Sequence, residues 1–164
     1  MIVVSDTTPI ISLLKIDRLD LLQSNFGEVL IPKAVYEELT QDNQFENEAK
    51  LIMRCPYVKI AQITNYDSVK SLQSRTGLDL GESEAIVLAD ERNADLILMD
   101  EAAGRRIAKQ LGKNLMGLIG LLIVSYERKI IDSDEIRMAA ETLRQNNRRI
   151  SERHFELLME RTQN

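Results

Sequence analysis

The sequence predicts an α/β domain: a central, mostly parallel β-sheet flanked by helices. Three observations carry that expectation. Short apolar segments alternate with stretches of helical periodicity along most of the chain. Two of those segments, 2–5 and 95–99, run directly into an aspartate, Asp6 and Asp100. The chain has 164 residues, 44% apolar and 29% charged, which suits one well-cored domain and would cramp two.

Residues 2–5 read as the first buried strand, and Thr7, Thr8 and Pro9 start a helix carrying Ile10, Ile11, Leu13 and Leu14. A short helix near 17–24 leads to a strand at 28–31, and Pro32 opens a helix through Leu39. Residues 44–54 read as helix, 58–63 as extended, and 66–75 as a polar helix or loop. Gly81 precedes a strong helix at 82–92, followed by the strand at 95–99. A helix at 101–111 is capped by Gly112, and a short strand near 114–116 precedes an apolar helix at 118–128. Apolar density falls near Asp132. Residues 1–132 therefore read as the main domain, and 133–164 as a charged helical extension packed on or beside it.

Composition excludes several chemistries. One cysteine, Cys55, and one histidine, His154, cannot build a Cys/His zinc cluster within the chain. His154 sits in a polar, Arg-rich stretch and reads as a surface residue, so a Ser-His-Asp triad has no support. Gly112, Gly117 and Gly120 fit neither a GxxxxGK[ST] loop nor a GxGxxG turn. The longest apolar run, Leu115 to Tyr126, is too short to span a bilayer, and Asp6 interrupts the apolar start, unlike a secretory leader. A cytoplasmic location is expected, to which the single cysteine is suited. Net charge is −5, against the basic footprint usual for binding nucleic acid, although Arg144, Arg148, Arg149 and Arg153 form a basic segment.

What remains plentiful is carboxylate. The crevice beyond the carboxyl ends of parallel strands is where open α/β sheets bind ligands, so Asp6 and Asp100 can share a site; singly, each can also cap the helix that follows. At about 100° per residue, Glu82 falls on the apolar stripe of Ala85, Ile86, Leu88 and Ala89, while Glu84 points roughly the other way, near Glu91. In the helix after Pro32, Glu38 shares a face with Ala34, Val35 and Leu39, with Glu37 to its side. Inward carboxylates need a partner, and a hard cation such as Mg²⁺ or Mn²⁺ satisfies several at once. Glu82 as an ordinary first-turn acid and Glu38 as a surface acid remain the plainer alternatives.

These segments, taken in order, resemble the PIN-domain family: VVSDTTPII with Asp6, IPKAVYEEL with Glu38, and GESEAIVLADERNADLILMD with Glu82 and Asp100. The resemblance runs from Met1 to about Asp132, through LMGLIGLLIVSYERKIID, and is nearest to the VapC-like toxin ribonucleases with DTTP and GESEAI-type segments. It implies a PIN-like fold and an Mg²⁺ or Mn²⁺ site formed by Asp6, Glu38, Glu82 and Asp100. It also implies cleavage of RNA phosphodiesters, a small antitoxin partner and a homodimer. Relatives often carry Thr or Ser two residues before the last aspartate, where this chain has Leu98; Thr7 or Thr8 can supply the hydroxyl instead. The tail after Asp132 lies outside the resemblance.

The mechanism so implied is attack on phosphorus by a metal-activated water, with the cation stabilising the leaving oxygen. Thr7, Thr8, Asp79, Glu84 and Glu101 are candidates for supporting positions. Arg105, Arg106 and Lys109 are candidates for RNA phosphate contacts, or else an ordinary solvated helix face. A non-catalytic PIN-like module that binds RNA or protein is the alternative reading. A haloacid-dehalogenase-type phosphatase would need Asp-x-Asp, and position 8 is Thr.

Overall fold

The computed structural model describes residues 1–41, 46–146 and 150–163. Its sheet has the order β3-β2-β1-β4-β5, with every pair parallel. The strands are β1 (Val3–Ser5), β2 (Val29–Ile31), β3 (Val58–Ile60), β4 (Leu96–Leu98) and β5 (Leu115–Met116). Between β1 and β2 lie α1 (Thr7–Lys15) and α2 (Asp20–Phe26), and between β2 and β3 lie α3 (Lys33–Thr40) and α4 (Glu46–Met53). Next come α5 (Tyr66–Thr76) and α6 (Leu80–Glu91) before β4, then α7 (Ala102–Gln110) before β5. The chain ends with α8 (Leu118–Glu127), α9 (Ser133–Gln145) and α10 (Glu152–Arg161). Every strand and helix expected from sequence is present, with ends shifted by a few residues; the start of the 44–54 helix lies outside the described residues.

Strand alternation divides the core in two. Val3 and Leu98 join one cluster with Ile10, Leu13, Leu121 and Leu122, while Val4 and Ile97 join the other with Val69, Ile86 and Leu88. One face of the sheet is thus covered by α1, α2 and α8, and the other by α5, α6 and α7. The tail contributes to the first cluster: Ile136, Ala140, Leu143 and Leu158 are each no more than 1% exposed. Helix α9 starts with a reciprocal capping box between Asp132 and Glu135. Among the described residues no helix is long and apolar enough to cross a membrane.

Helix α6 departs from the sequence reading. Residues 81–89 are all buried, Glu84 included, so Glu84 does not point outward. The wheel argument assumes one wet face, and α6 has none over this span: it lies against β1, β4, α3, α5 and α7.

Candidate metal centre

The site stands at the carboxyl edge of the sheet, where β1 and β4 run side by side. Ser5 pairs with Leu98, and the Asp6 N–H donates to the Leu98 carbonyl at 2.9 Å. That register sets Asp6 beside Met99 and Asp100 one step further on. Asp6 therefore shares the parity of Val4 and faces α6, whereas Asp100 shares the parity of Leu98 and faces α8. The contacts agree. Asp100 Oδ1 accepts the Leu118 N–H at the start of α8, 2.9 Å away, and Asp6 lies among Glu38, Asp79 and Glu82.

Asp79 and Glu82 form a reciprocal capping box at the start of α6. Asp79 Oδ1 accepts the Glu82 N–H at 2.8 Å, and Glu82 Oε2 accepts the Asp79 N–H at 3.1 Å. Glu101 comes off the end of β4 immediately after Asp100. Asp79, Glu82 and Glu101 each offer an oxygen within 4.8 Å of the other two. Thr8 Oγ1 donates to Glu101 Oε1 at 3.0 Å, which holds that carboxylate against α1. Glu38 reaches in from α3. It is not packed into the core, and its carboxylate passes so close to Gly81 that a β-carbon there would strike Oε1.

Charge in this cluster is uncompensated. The Asp6 carboxyl is pushed up to about 7, first by burial and then by Asp79, Glu82 and Glu38; the Thr7 N–H pulls the other way. Glu82 is pushed up to about 7 by burial and by Asp79 and Glu101, against the N–H of its cap. Burial also raises Glu38, and the neighbouring Thr7 hydroxyl opposes it. That hydroxyl is buried and completes no hydrogen bond of ordinary geometry, leaving one unsatisfied polar atom at the site. Asp100 is raised by burial but eased by the Leu118 N–H and by Arg105. Among the described residues, no salt bridge reaches any of these six acids.

The expected residues thus divide. Asp6, Glu38 and Glu82 lie together, with Asp79 and Glu101 among them, while Asp100 stands at the edge on the α8 side. Asp79 and Glu101, expected as supporting candidates, lie within the cluster itself. Glu84 is committed elsewhere: Oε1 accepts the Ala34 N–H at 3.0 Å and Oε2 accepts the Tyr66 hydroxyl at 2.7 Å. Arg105 is half-buried, its Nη1 donating to the Met99 carbonyl at 2.8 Å; Arg106 and Lys109 are exposed on α7.

Oxygen donors alone, two of them buried and none in a salt bridge among the described residues, fit a hard divalent cation and suit no soft metal. A family model described as a PIN domain matches residues 2–164. The chain belongs to the PIN-domain family. The match runs through α9 and α10 to the last residue. PIN domains are generally nucleases that use a divalent metal, and a cluster of carboxylates is present in this one. No curated protein matches the chain.

Proposed function

We propose that this PIN domain is a metal-dependent endoribonuclease of the VapC-like branch, acting as the toxin of a toxin–antitoxin pair. The observation that carries the reading is the group of carboxylates without a salt-bridge partner at the carboxyl edge of the sheet, Asp6 and Glu82 buried and Glu38, Asp79 and Glu101 exposed around them. Asp6, Glu38, Glu82 and Asp100 form the proposed Mg²⁺ or Mn²⁺ set, joined by Asp79 and Glu101. A cation bound there would lower the pKa of a water for attack on phosphorus and offset charge on the leaving oxygen.

The chain's own residues prepare that chemistry. Asp6 and Glu82 titrate near 7 without metal, so cation binding and proton release at these carboxyls are coupled. The capping box and the Thr8 hydroxyl hold Glu82 and Glu101 before any ligand arrives, which reduces the ordering left for the bound state. Arg105, Arg106 and Lys109 supply cations for RNA phosphates on the α7 side. A small antitoxin partner and a homodimer complete the proposal, in the cytoplasm.

The test is cleavage of RNA by the purified chain with Mg²⁺ or Mn²⁺, against EDTA and against Asp6→Asn. Metal-dependent cleavage lost in the variant is expected, together with growth arrest relieved by co-expressing a neighbouring small open reading frame. Metal binding without turnover would instead favour a non-catalytic RNA- or protein-binding module. Light scattering of the purified chain checks the dimer.

A further inference from the structure

Beside the carboxylates lies a cleft of about 1180 Å³ that opens from Asp100 and Glu101 of the proposed metal set. Arg105 lines it together with Ser151, His154 and Arg161 from the last helical segment. Its apolar lining includes Leu118, Ile119 and Ile123 of α8. The space exceeds the roughly 300–1,000 Å³ usual for a small-molecule pocket, and it is continuous with the acidic site through Asp100 and Glu101.

We propose that His154 is a substrate-binding residue whose imidazole meets a phosphate of single-stranded RNA next to the bond held at the carboxylates. The inference rests on the ribonuclease reading and adds to it the part of the chain that holds the strand.

The ring is oriented for this. Ser151 Oγ lies 2.9 Å from His154 Nδ1 and also accepts the His154 backbone N–H at 3.2 Å. A serine hydroxyl has one proton. It can be donated to Nδ1, which leaves the neutral ring's own proton on Nε2, or Oγ can accept from Nδ1–H as well as from the backbone, which leaves Nε2 an acceptor in the neutral ring and a donor in the cation. A phosphate brought to the ring selects the forms that carry Nε2–H, and among the described residues none takes up Nε2.

The charges lining the cleft are mixed: Asp100, Glu101 and Glu127 are acids and Arg161 is paired with Glu127, which leaves Arg105 and His154 as the donors for a phosphate. A cation bound at the carboxylates would attract one phosphodiester, and Arg105 and His154 offer donors to its neighbour. Both side chains line the same cleft as Asp100. The apolar lining suits a base or sugar between phosphates, and single strands are the form of RNA whose bases can be splayed into such a space. Sequence context alone made His154 an ordinary surface residue. It is exposed, but on the rim of this cleft.

The experiment measures binding of a fluorescein-labelled, random-sequence single-stranded RNA with Ca²⁺ in place of Mg²⁺, alongside Mg²⁺-dependent cleavage. His154→Ala keeps the backbone N–H that Ser151 caps, so α10 retains its start. We expect binding weakened roughly 10- to 150-fold, the loss of one hydrogen bond to a charged group. KM should rise by a similar factor with kcat and Mn²⁺ affinity unchanged, and His154→Gln, which keeps an N–H donor, should recover part of the loss. RNA bound equally by wild type and His154→Ala overturns this inference alone. A fall in Mn²⁺ affinity also overturns it, because the residue would then be supporting the carboxylates. Weakened binding by the variant without metal-dependent cleavage by wild type leaves the inference standing and removes the ribonuclease reading. No RNA binding by wild type overturns both.

Discussion

Glu84 Oε1 accepts the Ala34 N–H across 3.0 Å, tying the middle of the most buried helix to the first turn of the helix that carries Glu38. Its other oxygen takes the Tyr66 hydroxyl at the start of α5. One buried carboxylate thus joins three helices around the site and serves as a cap for α3 from outside that helix. Glu84→Ala leaves the Ala34 N–H without its partner in the interior. The expected loss in urea unfolding is about 2–4 kcal/mol, while Tyr66→Phe, at an exposed residue, costs about 1 kcal/mol. Equal small losses in both variants would contradict the clamp.

The same residue marks where sequence reasoning stopped. Periodicity located the helices and strands because each amphipathic element has a wet face and a dry one. Glu82 and Glu84 differ by two positions on α6, and a helical wheel makes one of them wet. Burial of the helix on every side removes that assumption, so both turn inward for different reasons. Asp6 and Asp100 were legible as strand ends. Their opposite facing depends on the pairing of Ser5 with Leu98, and register between strands far apart in sequence is not written in either strand. Asp79 and Glu101 were legible only as supporting candidates, because their nearness to Glu82 depends on how α6 and the end of β4 meet.

Stability should fall as pH rises in the metal-free protein. The Asp6 and Glu82 carboxyls are raised from 3.8 and 4.5 to about 7 in the fold. A raised carboxyl favours the folded state while protonated, so that contribution is full below about 4 and disappears as pH passes about 7. Each tenfold change in proton affinity corresponds to ~1.4 kcal/mol. Solvent screening at the open edge of the sheet reduces the share from Glu82, and together the two groups contribute on the order of a few kcal/mol. Melting in EDTA should therefore move to lower temperature between pH 5 and 8, and added Mg²⁺ should raise it more at pH 8 than at pH 5. A Mg²⁺ increment independent of pH would separate these carboxyls from the metal.

Gly81→Ala separates the site from the fold. Alanine in place of glycine within a helix gains roughly 0.5–1 kcal/mol of propensity. Here the new methyl meets only the end of the Glu38 side chain at close range, a group that can swing aside. The variant should unfold at the same or higher urea concentration, yet bind Mn²⁺ and cleave RNA more than tenfold less well, a loss of about 1.4 kcal/mol or more in metal or transition-state binding. Unchanged Mn²⁺ affinity would show that Glu38 is not needed where it now sits.

The division at Asp132 has a physical test of its own. Ile136, Leu143 and Leu158 are fully buried in the cluster that also holds Ile10 and Leu122. At about 1.5–3 kcal/mol for each large apolar side chain removed from water, these three contribute roughly 5–9 kcal/mol before the entropy of ordering the tail. Net stabilities of whole domains are about 5–15 kcal/mol, so the loss is comparable to the whole margin by which a fold of this size holds together. A fragment ending at Asp132 should aggregate or show broad, non-cooperative unfolding, and a separately supplied peptide covering α9 and α10 should restore cooperative melting. If the fragment instead melts sharply near the temperature of the full chain, the helical extension is an appendage, and its place on the cleft beside Asp100 becomes a matter of substrate alone.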